Sequence, residues 1–163
     1  RSSVERSQSS NNLLDHHGGE CLVYTLRGFL FFGTANAILD TIRDDAKIRS
    51  SNYSMILLDL KRVTGMDISA LNTFVQIRTL CELSGVKLIY SSVSLETRES
   101  LMMMDAVSMD EGEPLIFPDA DYAIEYMEDV MLQEYDDGNG DLSVADHLRR
   151  IFDDQQAFPP ADL

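Results

Sequence analysis

One unit in the middle of the chain restricts the fold more than any other feature. Tyr53 to Leu60 is apolar until Asp59, with Met55-Ile56-Leu57-Leu58 at its heart, as expected of a central strand covered on both faces. Leu71, Phe74, Val75, Ile77, Leu80 and Cys81 then form a wide helical stripe between Ser69 and Ser84. Gly85 stands where a helix C′ residue belongs, and Val86 to Tyr90 reads as the next strand. A strand, a helix and a strand joined by short connections form a parallel crossover, which needs a helix-covered sheet around it.

The flanking sequence extends this pattern. Cys21 to Leu26 predicts a strand, Gly28 a turn, and Phe29 to Phe32 a second short strand broken at Gly33. Thr34 is placed to N-cap a first helix whose apolar face is Ile38, Leu39, Ile42 and Ala46. Ser94 opens a helix towards Asp105. Met102-Met103-Met104 and Met109 near its end read as gap-filling core in preference to an adaptable contact surface. Leu115 to Phe117 is a short strand, and Asp119 caps a last helix to about Tyr135, with Ala123, Tyr126, Met127, Val130 and Met131 on one face. The expected fold is α/β, a mixed, largely parallel central sheet of about five strands covered by about four helices. Residues 1–19 read as a flexible linker, 20–136 as the domain, and 137–163 as a C-terminal helical extension leading to a following domain. The polar start and missing initiator Met point to a segment of a longer protein.

A chain of 163 residues suffices for one core. No apolar run approaches the roughly 20 residues of a membrane-spanning helix. Cys21 and Cys81 sit in apolar patterns and read as core residues; two cysteines and three scattered histidines make neither a disulfide framework nor a zinc site. The net charge of −15 is unevenly spread: 10 basic and 9 acidic residues up to Leu95, then 3 basic and 19 acidic from Glu96 onward. That field disfavours nucleic acid and anionic lipid surfaces as partners, and a solvated acidic face is the simplest account of it. The chain has no Walker A loop, no Gly-x-Gly-x-x-Gly and no nucleophile–base pair. No catalytic residue, resident metal or cofactor is therefore expected.

The chemistry concentrates at the turn Val63-Thr64-Gly65-Met66-Asp67-Ile68-Ser69-Ala70, at the carboxyl end of the central strand, where open α/β sheets place their sites. Asp67 is suited to cap the helix that follows. Ser69 offers a hydroxyl in the first turn, where the helix dipole would welcome a phosphate. Capping by Asp67 and simple helix filling by Ser69 is the plainer reading of the same residues.

This strand, loop, Asp-x-Ser and helix resemble the signature of the STAS family, the sulfate transporter and anti-sigma-factor antagonist domain, over roughly Leu22 to Tyr135. The resemblance implies a STAS-like fold and no catalysis. In bacterial antagonists the motif is Asp-Ser-Ser-Gly, with the second serine phosphorylated by a partner kinase. Asp67 matches the aspartate and Ser69 the phospho-acceptor, whereas Ile68 and Ala70 replace the first serine and the glycine. The wording from Leu58 to Asp67 and from Asp119 to Asp129 is similar instead to the C-terminal cytosolic domains of SulP-type anion transporters. The resemblance thus implies a regulatory domain on the cytoplasmic side of a membrane, with Thr64, Gly65, Asp67, Ile68 and Ser69 as its binding turn. Implied partners are the parent's transmembrane domain, a cytosolic protein or a following regulatory domain of cyclic-nucleotide-binding type, and a second copy through the parent protein. The other reading is a free-standing antagonist switched at Ser69.

Tyr135 to Asp146 also has the texture of an EF-hand calcium loop, with Asp137, Asn139, Gly140 and Leu142 in register. Tyr135 stands where the first aspartate is needed and Asp146 where a bidentate glutamate is usual, so a Gly/Asn/Asp turn is the favoured reading.

Overall fold

Period-two alternation decides the first strand. β1 (Cys21–Leu30) buries Leu22, Leu26 and Leu30 on one face and turns Val23, Thr25, Arg27 and Phe29 to the other. The computed structural model describes residues 21–48 and 54–138. After β1 come α1 (Phe32–Ile48), β2 (Met55–Met66), α2 (Ile68–Leu83), β3 (Lys87–Ser91) and α3 (Leu95–Met103). The two-residue strands β4 (Met109–Asp110), β5 (Glu113–Pro114) and β6 (Ile116–Phe117) follow, then α4 (Ala120–Gly138). The main sheet has the order β1-β2-β3-β6 with every pairing parallel.

Two layers of core result. Ile56, Leu58, Leu60, Leu88 and Tyr90 meet α1 and α2 on one face, with Phe74 and Ile77 fully buried between them. Met55, Leu57 and Ile89 meet α4 on the other, against Ala123, Met127 and Met131. Because successive residues of β2 serve opposite layers, the run Met55–Leu58 has no solvent face, which is why it reads as continuous hydrophobicity.

Caps behave as their chemistry predicts. The Ser94 hydroxyl accepts from the Thr97 N–H (3.2 Å), and Asp119 Oδ1 accepts from Asp121 and Tyr122 N–H (2.9 and 3.1 Å). Gly85 adopts φ +69° just after the Ser84 C-cap, a conformation that costs other residues about 1 kcal/mol or more.

Several expectations change. Cys21–Leu26 and Phe29–Phe32 are not two strands: Gly28 (φ +75°) bends a single strand without ending it, so the parallel sheet has four strands. Thr34 is not the N-cap of α1 but lies inside its first turn, and its hydroxyl oxygen accepts from the Phe31 N–H at 2.9 Å, one half of a capping box. Met102, Met103 and Met109 are exposed, and of these methionines only Met104 packs against the core. Leu101 fills the place they were expected to take, because residues one and two further along α3 are rotated off its buried face, and Asp105 (φ +57°) then turns the chain. Pro114 closes an antiparallel hairpin with Met109 through Glu111 and Gly112, both at positive φ. The Tyr126 hydroxyl donates to Asp110 and Lys87 Nζ lies 3.4 Å from the same carboxylate, tying the hairpin to α4 and β3. That hydrogen bond, then Lys87, holds the Asp110 carboxyl below the usual carboxylate range.

α4 continues through Gly138, so Tyr135 and Asp137, two positions of the calcium-loop register, belong to a helix. The remainder of that stretch, the leader at 1–19 and the extension beyond Gly138 lie outside the described residues.

Candidate functional site

β2 outruns its neighbour. β3 ends at Ser91, opposite Asp59, whereas β1 stays paired with β2 as far as Leu30↔Met66. Beyond Asp59 the two strands therefore form a two-stranded ribbon that projects past the rest of the sheet. Two register shifts, between Thr25 and Arg27 and between Gly28 and Phe29, each give β2 one extra residue, and Thr64 is the second of them. Such bulges bend a strand and sharpen its twist, which carries the ribbon out of the plane of the core.

The expected loop at 63–66 is accordingly strand, and the turn shrinks to Asp67 alone between Met66 and Ile68. Asp67 binds three elements together. Its N–H donates to Leu30 O (3.1 Å), its carbonyl accepts from the Leu71 N–H (3.1 Å), and its carboxylate accepts from the Ala70 N–H (2.8 Å). Replacing Asp67 with Ala should cost about 1 kcal/mol by freeing the Ala70 N–H, read as a lowered urea midpoint at constant m. Asp67→Asn should recover most of that loss; an unchanged midpoint in Asp67→Ala would show that the cap is not coupled to folding.

The other turn residues divide by exposure. Ile68 projects with 61% of its surface exposed, Thr64 is exposed, and Ser69 is half-buried in the first turn of α2. The Ser69 carbonyl accepts from the Thr73 hydroxyl at 3.2 Å. Gly65 lies beneath the Phe29 ring, where a Cβ would come within 3.1 Å of it. Gly65 thus allows close packing of an aromatic ring against the strand.

Beside the turn lies a surface that sequence reading missed. Phe29, Phe31 and Phe32 are more than half exposed and sit at the ribbon and the start of α1, near Ile68. A usable signal was present for Phe29: a strand buries alternate residues, so of Phe29 and Leu30 only one can point inward.

A cleft of about 440 Å³ opens at the carboxyl ends of β2, β3 and β6, lined by Lys61, Val63, Ser92, Ser94 and Asp119 among others. Of the turn only Val63 lines this cleft. Cys81 is no nucleophile, since burial pushes its thiol up to about 12. Among the described residues no group of three or more His, Cys, Asp or Glu side chains is placed to hold a metal. No helix of the described residues is long and apolar enough to cross a membrane.

The comparisons with known proteins agree with this build. The vacuolar basic amino acid transporter VSB1 of Saccharomyces cerevisiae is 30% identical over 144 residues, which are 83% of this chain and 14% of that protein. This chain therefore spans about a seventh of that curated relative. The SulP transporter STAS domain of Vibrio cholerae superposes with a TM-score of 0.53 at 21% identity, over 76% of this chain and 98% of that one. The anti-sigma factor antagonist SpoIIAA in its unphosphorylated form superposes with a TM-score of 0.51 at 20% identity, over 66% and 89% of the two chains. Both structural likenesses establish the shared fold. The STAS domain family model matches residues 13–123, and the chain belongs to the STAS domain family.

Proposed function

We propose that this STAS domain, occupying residues 20–136, is the cytosolic regulatory domain of a SulP-type membrane transporter. It acts through protein contacts at Thr64, Gly65, Asp67, Ile68 and Ser69 and performs no catalysis of its own. The carrying observation is Ile68, a large apolar side chain held outward by a capped turn that is bonded to both β1 and α2. A bulky apolar group presented on a rigid support is a contact anchor, and it occupies the position of a hydroxyl in the phospho-switch motif. Its partner in this reading is the transmembrane domain of the parent protein, with a following regulatory domain or a second copy of the parent as further contacts.

The cargo has two readings. SulP resemblance supports an anion, while similarity to a yeast transporter named for basic amino acids supports that class instead. The role of this domain is the same in both. The antagonist reading, with Ser69 phosphorylated, draws on the likeness to SpoIIAA; Ile68 and the half-buried Ser69 count against it.

Capture of the domain by the separately expressed membrane part of the parent protein tests the proposal. Ile68→Asp should weaken capture about 30-fold, the effect of losing a contact hot spot, while shifting stability by less than about 0.5 kcal/mol. Ser69→Asp should leave capture within about threefold. Equal capture of the Ile68→Asp and wild-type domains would overturn the reading, and a large response to Ser69→Asp alone would favour the phospho-switch.

A further inference from the structure

The helix layer leaves one part of the sheet bare. Among the described residues α4 packs mainly on β2, β3 and β6 and reaches β1 at Cys21, whose Sγ lies 3.5 Å from Met131 Sδ, while Val23 and Phe29 further along the outward face of β1 are half exposed. Arg27 stands directly opposite Arg62 in the β1–β2 register, both exposed, with Lys61 next in sequence. Among the described residues none of these three cations makes an ion pair. Like charges facing each other across adjacent strands oppose the pairing that holds them there. This one does so two residues along β1 from Phe29, with Phe31 just past the end of the strand, on a chain of net charge −15.

We infer that this uncovered part of the β1 face is a docking surface for an acidic peptide segment that also carries apolar side chains. Carboxylates relieve the Arg27–Arg62 repulsion, and apolar side chains cover the half-exposed rings. The Phe29 ring edge packs against Gly65 and the Phe31 ring against Gly33, where a Cβ would come within 3.1 and 3.0 Å of them, so each ring has a backbone neighbour to rest on. The acidic C-terminal half repels anions from the rest of the molecule, which orients a short acidic segment onto this patch. It also disfavours large anionic surfaces such as nucleic acid or lipid, which could not meet the patch alone. The inference centres on the Arg27–Arg62 pair, meets the Ile68 turn only at its Phe29 edge, and does not require the parent to be a transporter.

Fluorescence anisotropy on the 163-residue chain tests it, with a labelled synthetic peptide in which Asp and Glu alternate with Phe and Leu. Saturable binding is expected, weakened about tenfold or more by R62E and by high salt. R62E should melt no lower than wild type, because it converts a repelling pair into an attracting one. F29S/F31S should weaken binding while leaving its salt dependence intact. Equal binding by R62E would overturn the inference, as would equal binding of a peptide with Lys in place of the acidic residues. So would phosphatidylserine vesicles that bind when the peptide does not, or a dimer of the chain that excludes the peptide and dissociates in R62E.

Discussion

Phe74→Ala should destabilise the domain by about 3–5 kcal/mol, the largest single effect among these substitutions. Phe74 is fully buried in the layer between α2 and the sheet, its ring centroid 6.1 Å from that of Tyr90 at an interplanar angle of 50°. Truncation removes the apolar transfer term and leaves a cavity whose walls are strands and helices already in register, so little collapse can fill it. For a domain of this size the melting temperature should fall by roughly ten degrees. Phe74→Leu keeps most of the volume and should cost clearly less, about 1–2 kcal/mol. Urea denaturation checks both, and a loss below about 1 kcal/mol in Phe74→Ala would contradict a close-packed α2–sheet layer. The site depends on this packing because α2 begins at the Asp67 turn: if the helix loosens, the turn loses its support.

Asp59→Ala is expected to cost about 1–3 kcal/mol for a different reason. Asp59 ends the apolar part of β2 and is itself buried, and its Oδ1 accepts from Ser91 Oγ at 3.0 Å and from the Lys61 N–H at 3.3 Å. Ser91 is its partner in the parallel register and is wholly buried, so removing the carboxylate strands a hydroxyl that water cannot reach. The cost lies in that unmade bond more than in the lost one, which yields a sharper expectation. Adding Ser91→Ala to Asp59→Ala should restore part of the stability, because two apolar partners leave nothing unsatisfied. Additive losses in the double variant, measured by the same denaturation, would show that the two side chains are not coupled. Asp59 also marks the point where β3 ends and the ribbon begins, so its loss should raise the mobility of the strand leading to Asp67.

Much of the frame was readable one element at a time. The Met55–Leu60 strand, the α2 stripe, Gly85, and the caps Asp67, Ser94 and Asp119 all stand where the residue pattern places them. The misreadings share a cause. Phe29–Phe32 reads as a strand of its own because glycine and aromatic residues signal breaks and strands locally. Only pairing with β2 keeps β1 continuous across Gly28. The methionines after Leu101 look like core on composition, and the phase of α3, which points Leu101 inward, sends Met102 and Met103 outward.

For the candidate site the division is the same. Asp67 as an N-cap could be named from sequence, because a cap is satisfied by a backbone N–H three residues away. That Ile68 points out, that Gly65 lies under Phe29, and that Arg27 faces Arg62 could not. Each of those facts depends on the β1–β2 register and its two bulges, and register is settled between strands separated by a whole helix. Short-range periodicity and capping carry their physics within a few residues and so can be read along the chain. The surface this domain offers to a partner comes from long-range pairing, and it exists only once the sheet has formed.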